Sequence, residues 1–66
     1  MTPQQQKVLE WIRLYSAAHG RMPTQRAIAA AFDVSQAAVH SMLDRLEAAG
    51  ALTRTKGKRY GIALAA

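Results

Sequence analysis

Basic side chains that can neutralise a polyanion are concentrated near the C-terminal end of the sequence. Residues 51–66 contain four basic residues and no acid, whereas the other five basic residues share residues 1–50 with all four acids. The four are Arg54, Lys56, Lys58 and Arg59. Positive charge gathered at one end of a small domain predicts a polyanionic partner. Charge alone leaves a nucleic acid, a membrane surface, an acidic protein and simple solubility as alternatives.

A group of small and polar side chains lies at the front of the third predicted helix. Helical spacing places this group on one exposed face of the helix, and Asp44 and Arg45 follow one turn later. The group is Ser35, Gln36, Ala37, His40 and Ser41. Gln36 can pair with adenine, His40 can donate to guanine N7 or a phosphate, and Ala37 can contact a thymine methyl, each good contact discriminating by about 1–3 kcal/mol. With no arginine in front, weak monomer affinity is expected, and a dimer or the basic segment would add the rest.

The residue types give little support for a catalytic site or a metal site. There is no Cys, and two His and four acids are spread along the chain without a nucleophile–base pair. We expect no catalytic site, metal, cofactor or small-molecule ligand. Apolar stretches fall far short of the ~20 residues of a membrane span, and no signal peptide is recognisable. A cytoplasmic, non-enzymatic protein without a membrane partner is expected.

Three helices are predicted from caps and apolar spacing. The first begins at Thr2-Pro3 and ends at His19-Gly20, the second is capped by Thr24, and the third runs from Ser35 to Ala49. Apolar spacing gives each helix an expected inward face. It is Val8, Trp11, Ile12, Tyr15 and Ala18 in the first helix, Ala27, Ile28, Ala31 and Phe32 in the second, and Ala38 or Val39, Met42, Leu43 and Leu46 in the third. Leu9 and Leu14 lie beside the first face and are expected to widen it.

The second and third helices read as a helix-turn-helix over residues 25–44. Ala29 is small enough for two helices to cross closely, and Asp33 tolerates the positive φ of the turn better than most residues. Val34, Val39 and Met42 are expected to seal the contact between the helices. This arrangement leaves the third helix free to enter a major groove.

The remaining residues predict a β-hairpin. Residues 51–55 and 60–64 alternate, and Gly57 suits the tight turn between them. Leu52, Ile62 and Leu64 are expected to face the helices, with the charged residues at the tip and on the outer side. The predicted fold is mainly α with a small β-hairpin: a single winged helix-turn-helix domain over residues 1–66, with three helices and a two-stranded wing.

Several segments together resemble the N-terminal DNA-binding domain of the LexA repressor family. They are residues 5–13, 20–29 with Gly-x-Met-Pro-Thr, 35–38, 43–52 with Leu-Glu-x-x-Gly, and 59–62. The resemblance covers essentially the whole length. It implies a bacterial or phage transcriptional repressor, nucleoid-associated, whose third helix (about 35–49) reads an operator half-site. Independently of the resemblance, the charges of the basic wing (54–60) predict contacts with the phosphate backbone or the minor groove.

The resemblance places Ser35, Ala37, Ala38, His40 and Ser41 at positions that face bases or backbone in the family. Ala37 stands where the family usually has Asn, and His40-Ser41 where it has an acidic pair, so no operator sequence is carried over. The family's C-terminal self-cleaving domain, which supplies dimerisation, has no counterpart here. We expect either an isolated domain or a small natural protein, with a homodimer on a palindromic site possible.

The candidate contacts with double-stranded DNA come from three places. They are the start of the second helix, the front of the third helix and the wing. The start of the second helix is an anion site because its free N–H groups point outward. The full set is Thr24, Gln25, Arg26, Ser35, Gln36, Ala37, Ala38, His40, Ser41, Arg45, Arg54, Lys56, Lys58, Arg59 and Tyr60.

One alternative function is a winged-helix module that binds a protein, as a small phage antagonist does. Leu9, Leu14 and the apolar residues 62–66 would form its surface, although the same tail would also suit a dimer contact. Charge reversal at Lys56, Lys58 and Arg59 discriminates between the two functions, because it abolishes DNA binding and matters little to an apolar partner surface.

Overall fold

The computed structural model describes residues 2–55, Gly57 and residues 61–65. Three helices precede a two-stranded antiparallel sheet, as the sequence predicts. The elements are α1 (Pro3–His19), α2 (Gln25–Phe32), α3 (Gln36–Ala48), β1 (Leu52–Arg54) and β2 (Ile62–Leu64). The strands are shorter than predicted, and α3 contacts α1, α2 and β1.

Helix α1 begins and ends at the predicted signals. The Thr2 hydroxyl accepts from the backbone N–H of Gln5, whose side chain accepts from the backbone N–H of Thr2, and Pro3 opens the helix. This reciprocal pairing satisfies two N–H groups that a helix start otherwise leaves without partners. Gly20 ends α1 in the left-handed region, where its N–H donates to Ser16 O.

The turn between α2 and α3 depends on Asp33, which adopts a left-handed conformation with φ 54°. The N–H of Val34 donates to Ala29 O at 3.0 Å and closes the end of α2. Ala29 is buried, so the small residue lies at the helix contact as predicted. Ser35 then starts α3, and only two residues separate it from the end of α2.

The end of α3 leads directly into β1. Gly50 adopts φ 77°, its N–H donates to Glu47 O, and the N–H of Ala51 donates to Leu46 O at 2.9 Å. This pair of bonds is a Schellman motif, which requires a residue that tolerates the left-handed region after the helix. It fixes the angle at which the hairpin leaves α3.

The hairpin pairs Leu52 with Leu64 and Arg54 with Ile62. Two further bonds extend the pairing, from Thr55 N–H to Gly61 O and from Ala65 N–H to Ala51 O. A two-stranded sheet is marginal alone. Here Leu52 and Ile62 are buried and Leu64 packs against the same cluster, so the predicted inward set is confirmed.

One hydrophobic core joins all five elements. Its buried members are Val8, Ile12, Ile28, Ala29, Val39, Leu43, Leu46, Leu52 and Ile62. Leu9, Trp11, Met22, Phe32, Val34, Met42, Ala51 and Leu64 are partly buried against it. Trp11 also meets Phe32 edge-on with ring centroids 5.8 Å apart, which ties α1 to α2.

Some expectations about individual apolar residues were wrong. Ala18 and Ala31 are exposed; Ala18 lies near the end of α1, beyond the buried Val8 and Ile12, and Ala31 lies beside the core-packed Phe32 but outside the buried side of α2. Leu9 widens the buried face of α1 as expected, but Leu14 is 61% exposed. Tyr15 is half-buried and stacks on His19 at the helix end.

The expected placement of wing charge was wrong for Arg54. Side chains two apart in a strand share a face, so Arg54 follows Leu52 to the side of β1 that meets α3. Its side chain is only 16% exposed.

Candidate nucleic-acid interface

Helix α3 has two faces with different environments. Val39, Leu43 and Leu46 are fully buried and hold the helix to the core. The opposite side is exposed, as the sequence predicts, and carries Gln36, Ala37, His40, Ser41, Asp44 and Arg45. A helix held on one side and open on the other can enter a groove without disturbing the fold.

The fronts of α2 and α3 are capped by hydroxyls. Thr24 Oγ1 accepts from the N–H of Ala27, and Ser35 Oγ accepts from the N–H of Ala38, each at 3.1 Å. Each cap satisfies one of the N–H groups that the first turn leaves without a helical partner. Of the neighbouring candidates, Gln25 and Ala38 are half-buried and Arg26 is exposed.

Arg54 makes three side-chain contacts with α3. Its Nε donates to Glu47 Oε1 at 3.0 Å, its Nη1 lies 3.1 Å from His40 Nδ1, and its Nη2 donates to Asp44 Oδ1. Asp44 and Glu47 remain largely exposed, with side-chain exposures of 57% and 41%. Arg54 therefore joins β1 to the exposed side of α3.

The same contacts favour the charged form of Arg54. Partial burial lowers its pKa, but hydrogen bonds and charge attraction from Asp44 and Glu47 outweigh this effect and raise the pKa above its ordinary value. Arg54 is therefore a permanent cation whose charge is directed at two carboxylates of its own chain.

The candidate residues that the structure describes lie on three elements, of which Arg54 on β1 contacts His40 on α3. Ser35, Gln36, Ala37, Ala38, His40, Ser41 and Arg45 lie on α3 or at its cap, and Thr24, Gln25 and Arg26 lie at the start of α2. Lys56, Lys58, Arg59 and Tyr60 lie outside the described residues.

The cluster that Asp44 and Glu47 form with His40 and Arg54 is not among the sequence-based predictions. The three on α3 lie at spacings of four and three, which places them on one side of a helix. That spacing, together with the two-residue period that places Arg54 on the same side of β1 as Leu52, is the feature of the sequence from which the cluster could be predicted.

The described part of the chain holds neither a metal-binding cluster nor a membrane-spanning helix. Within it, no group of three or more His, Cys, Asp or Glu residues is arranged to hold a metal ion. None of its helices is both long and apolar enough to span a bilayer.

Three helices, a short turn between α2 and α3, and a two-stranded wing after α3 define a winged helix-turn-helix. A family model of the LexA DNA-binding domain matches residues 1–61, and the chain belongs to that family. The matched domain is a DNA-binding one.

A curated relative shows the same similarity over nearly the full chain. It is a LexA repressor from Oleidesulfovibrio alaskensis, 37% identical over 62 residues. The alignment covers 94% of this chain and 30% of the relative, so the chain spans less than a third of that repressor's length.

Proposed function

We propose that the chain acts as a sequence-specific double-stranded DNA-binding transcriptional repressor. The face of α3 opposite Val39 and Leu43 reads the major groove, and the basic wing contacts the phosphate backbone or the minor groove. The observation that carries this proposal is the division of α3 into a fully buried face and an exposed small and polar face. Membership of the LexA DNA-binding domain family supports it independently.

Base readout is assigned to the first two turns of α3. Gln36 pairs with adenine, Ala37 contacts a thymine methyl, and His40 donates to an acceptor on guanine or to a phosphate. Ser35, Ala38 and Ser41 lie beside them, and the low bulk of Ala37 and Ala38 permits close approach to the base edges. Arg45, exposed further along α3, is assigned to a backbone phosphate.

Phosphate contacts are assigned to two segments, one before and one after α3 in the sequence. One is the capped start of α2, where Gln25 and Arg26 accompany the N–H groups of the first turn. The other is the wing, with Lys56, Lys58, Arg59 and Tyr60. Phosphate contacts give register and affinity, whereas sequence is read from the base edges.

We also propose that binding occurs as a dimer on two half-sites. A few contacts of about 1–3 kcal/mol each give one domain limited discrimination. A second domain on a symmetry-related half-site doubles the base contacts, and a palindromic operator follows from the two-fold symmetry.

Titration of the isotope-labelled protein with duplex DNA tests which surface binds. We expect amide resonances of Gln36, His40 and Ser41 to shift, while those of Lys7 and Leu14 on α1 stay in place. Gln36→Ala is the functional variant, and Gln6→Ala, at an exposed site on α1, is its matched control. Shifts confined to α1, or none with a folded protein, would overturn the proposal.

A further inference from the structure

Arg54 is oriented by its contacts with three side chains of α3. Its Nε faces Glu47, one terminal nitrogen faces His40 and the other faces Asp44. A guanidinium is planar and rigid, so contacts at all three nitrogens fix its position and its plane. The side chain is largely shielded from solvent, which limits competition from water.

The contact between Arg54 and His40 determines which ring nitrogen of His40 carries the proton. A guanidinium has only donors and no acceptor. Nδ1 of His40, 3.1 Å from Nη1, must therefore accept with its lone pair. A neutral imidazole has one N–H, so the proton of His40 lies on Nε2. That nitrogen is on the far side of the ring from Arg54.

We propose that Arg54 is a positioning residue for base recognition, which holds His40 as the Nε2–H tautomer and directs this donor away from β1. This inference rests on the function proposed above and deepens it. A fixed donor selects acceptors such as guanine N7 and O6 and disfavours the amino groups of adenine and cytosine. Without Arg54 the ring can adopt either tautomer and accept from those amino groups, so discrimination weakens.

The two carboxylates have a supporting part in the same arrangement. Asp44 and Glu47 lie on the exposed side of the helix assigned to the groove, where uncompensated negative charge would repel phosphates. Arg54 bonds to both carboxylates, offsets one of their two charges and is itself held by them. The wing thus influences readout through α3, in addition to any contact of its own with DNA.

The first test measures the tautomer in the protein without DNA. Two-bond proton–nitrogen correlation spectra of the imidazoles, recorded where both His residues are neutral, separate Nδ1–H from Nε2–H forms. We expect a single Nε2–H form for His40 and a shift towards a tautomer mixture in Arg54→Met, with the His19 signals unchanged as an internal control. An unchanged His40 pattern in a folded Arg54→Met variant would overturn the proposal.

The second test measures base preference. Enriched sequences from a random duplex library are compared for the wild type, His40→Ala, Arg54→Met and the double variant. We expect both single variants to lose preference at the same base pair, by about 5–100-fold, and the double variant to lose no more. If Arg54→Met lowers affinity equally for every sequence and retains the preference, the positioning role is wrong.

Arg54→Lys keeps the experiment informative if Arg54→Met does not fold. A lysine keeps the stem and the charge, but its single nitrogen cannot reproduce three planar contacts. The same shift in the His40 tautomer is expected. Because the tautomer is measured without DNA, failure of the DNA-binding proposal and failure of the Arg54 proposal give different results.

Discussion

The backbone N–H of Val34 donates to the carbonyl oxygen of Ala29 at 3.0 Å, and this bond closes the turn that sets the direction of α3. It can form because Asp33 adopts a left-handed conformation with φ 54°. The orientation of the helix assigned to the groove therefore depends on one residue that many helix-turn-helix turns would fill with glycine.

The conformation of Asp33 gives a first prediction. A β-branched residue is strained in the left-handed region, so Asp33→Val should lower the free energy of unfolding by about 1–2 kcal/mol. Asp33→Asn is the matched control and should be nearly neutral. Urea unfolding followed by circular dichroism measures both variants, and equal stability of the two would contradict the role given to the turn.

The cap of α3 gives a second prediction, which separates stability from DNA binding. Ser35→Ala removes the acceptor for the Ala38 N–H and should cost about 1 kcal/mol of unfolding free energy. Ser35→Asp keeps an acceptor and should retain stability, but its negative charge at the assigned DNA surface should weaken binding. Thermal melting and fluorescence anisotropy with duplex DNA measure the two effects. Undiminished affinity of Ser35→Asp would argue against DNA at the front of α3.

Core packing gives a third prediction. Leu46 is fully buried between the helices and β1, so Leu46→Ala should lower the unfolding free energy by about 2–5 kcal/mol. Leu14→Ala makes the same chemical change at a side chain that is 61% exposed and should stay within about 0.5 kcal/mol of the wild type. Chemical unfolding of the pair tests the assignment of the core. A large loss for Leu14→Ala would show that α1 buries a face that the structure leaves open.

Much of this fold follows from the sequence because its signals are local. Thr2, Thr24 and Ser35 mark helix starts by their side-chain chemistry, and Gly20 and Gly50 mark helix ends. The periodic positions Val8, Ile12, Leu43 and Leu46 identify the buried faces. These features depend on residues within one or two turns of each other.

The errors arise where the outcome depends on a neighbouring element. Ala18 and Ala31 fit the apolar spacing of their helices, yet no other element covers them. Leu14 lies next to a buried face but outside its contacts. The charge of Arg54 predicts an exposed position on the wing. Strand alternation instead places its side chain on the side of β1 that meets α3, where it bonds to Asp44 and Glu47. The cluster of His40, Asp44, Glu47 and Arg54 joins two elements, so it became visible only once their relative position was known.

The salt dependence of binding gives a fourth prediction. About five phosphate contacts per monomer give a slope of log K against log salt near −4.5. Lys58→Gln removes one proposed phosphate contact and should reduce the steepness by about 0.9. Lys7→Gln removes the same charge from the exposed surface of α1 and is expected to leave the slope nearly unchanged. Anisotropy titrations over a range of salt provide the slopes, and a nearly flat dependence for the wild type would contradict the phosphate assignment.

Selection of binding sequences from a random duplex library at near-physiological salt tests directly whether the protein reads DNA as a dimer. A DNA-reading repressor that binds as a dimer should enrich a palindrome whose two half-sites have a fixed spacing, with the centres about one helical turn, or a multiple of it, apart. Gln36→Ala and His40→Ala should each relax one position in both half-sites. Enrichment of no sequence by a folded protein would contradict the claim.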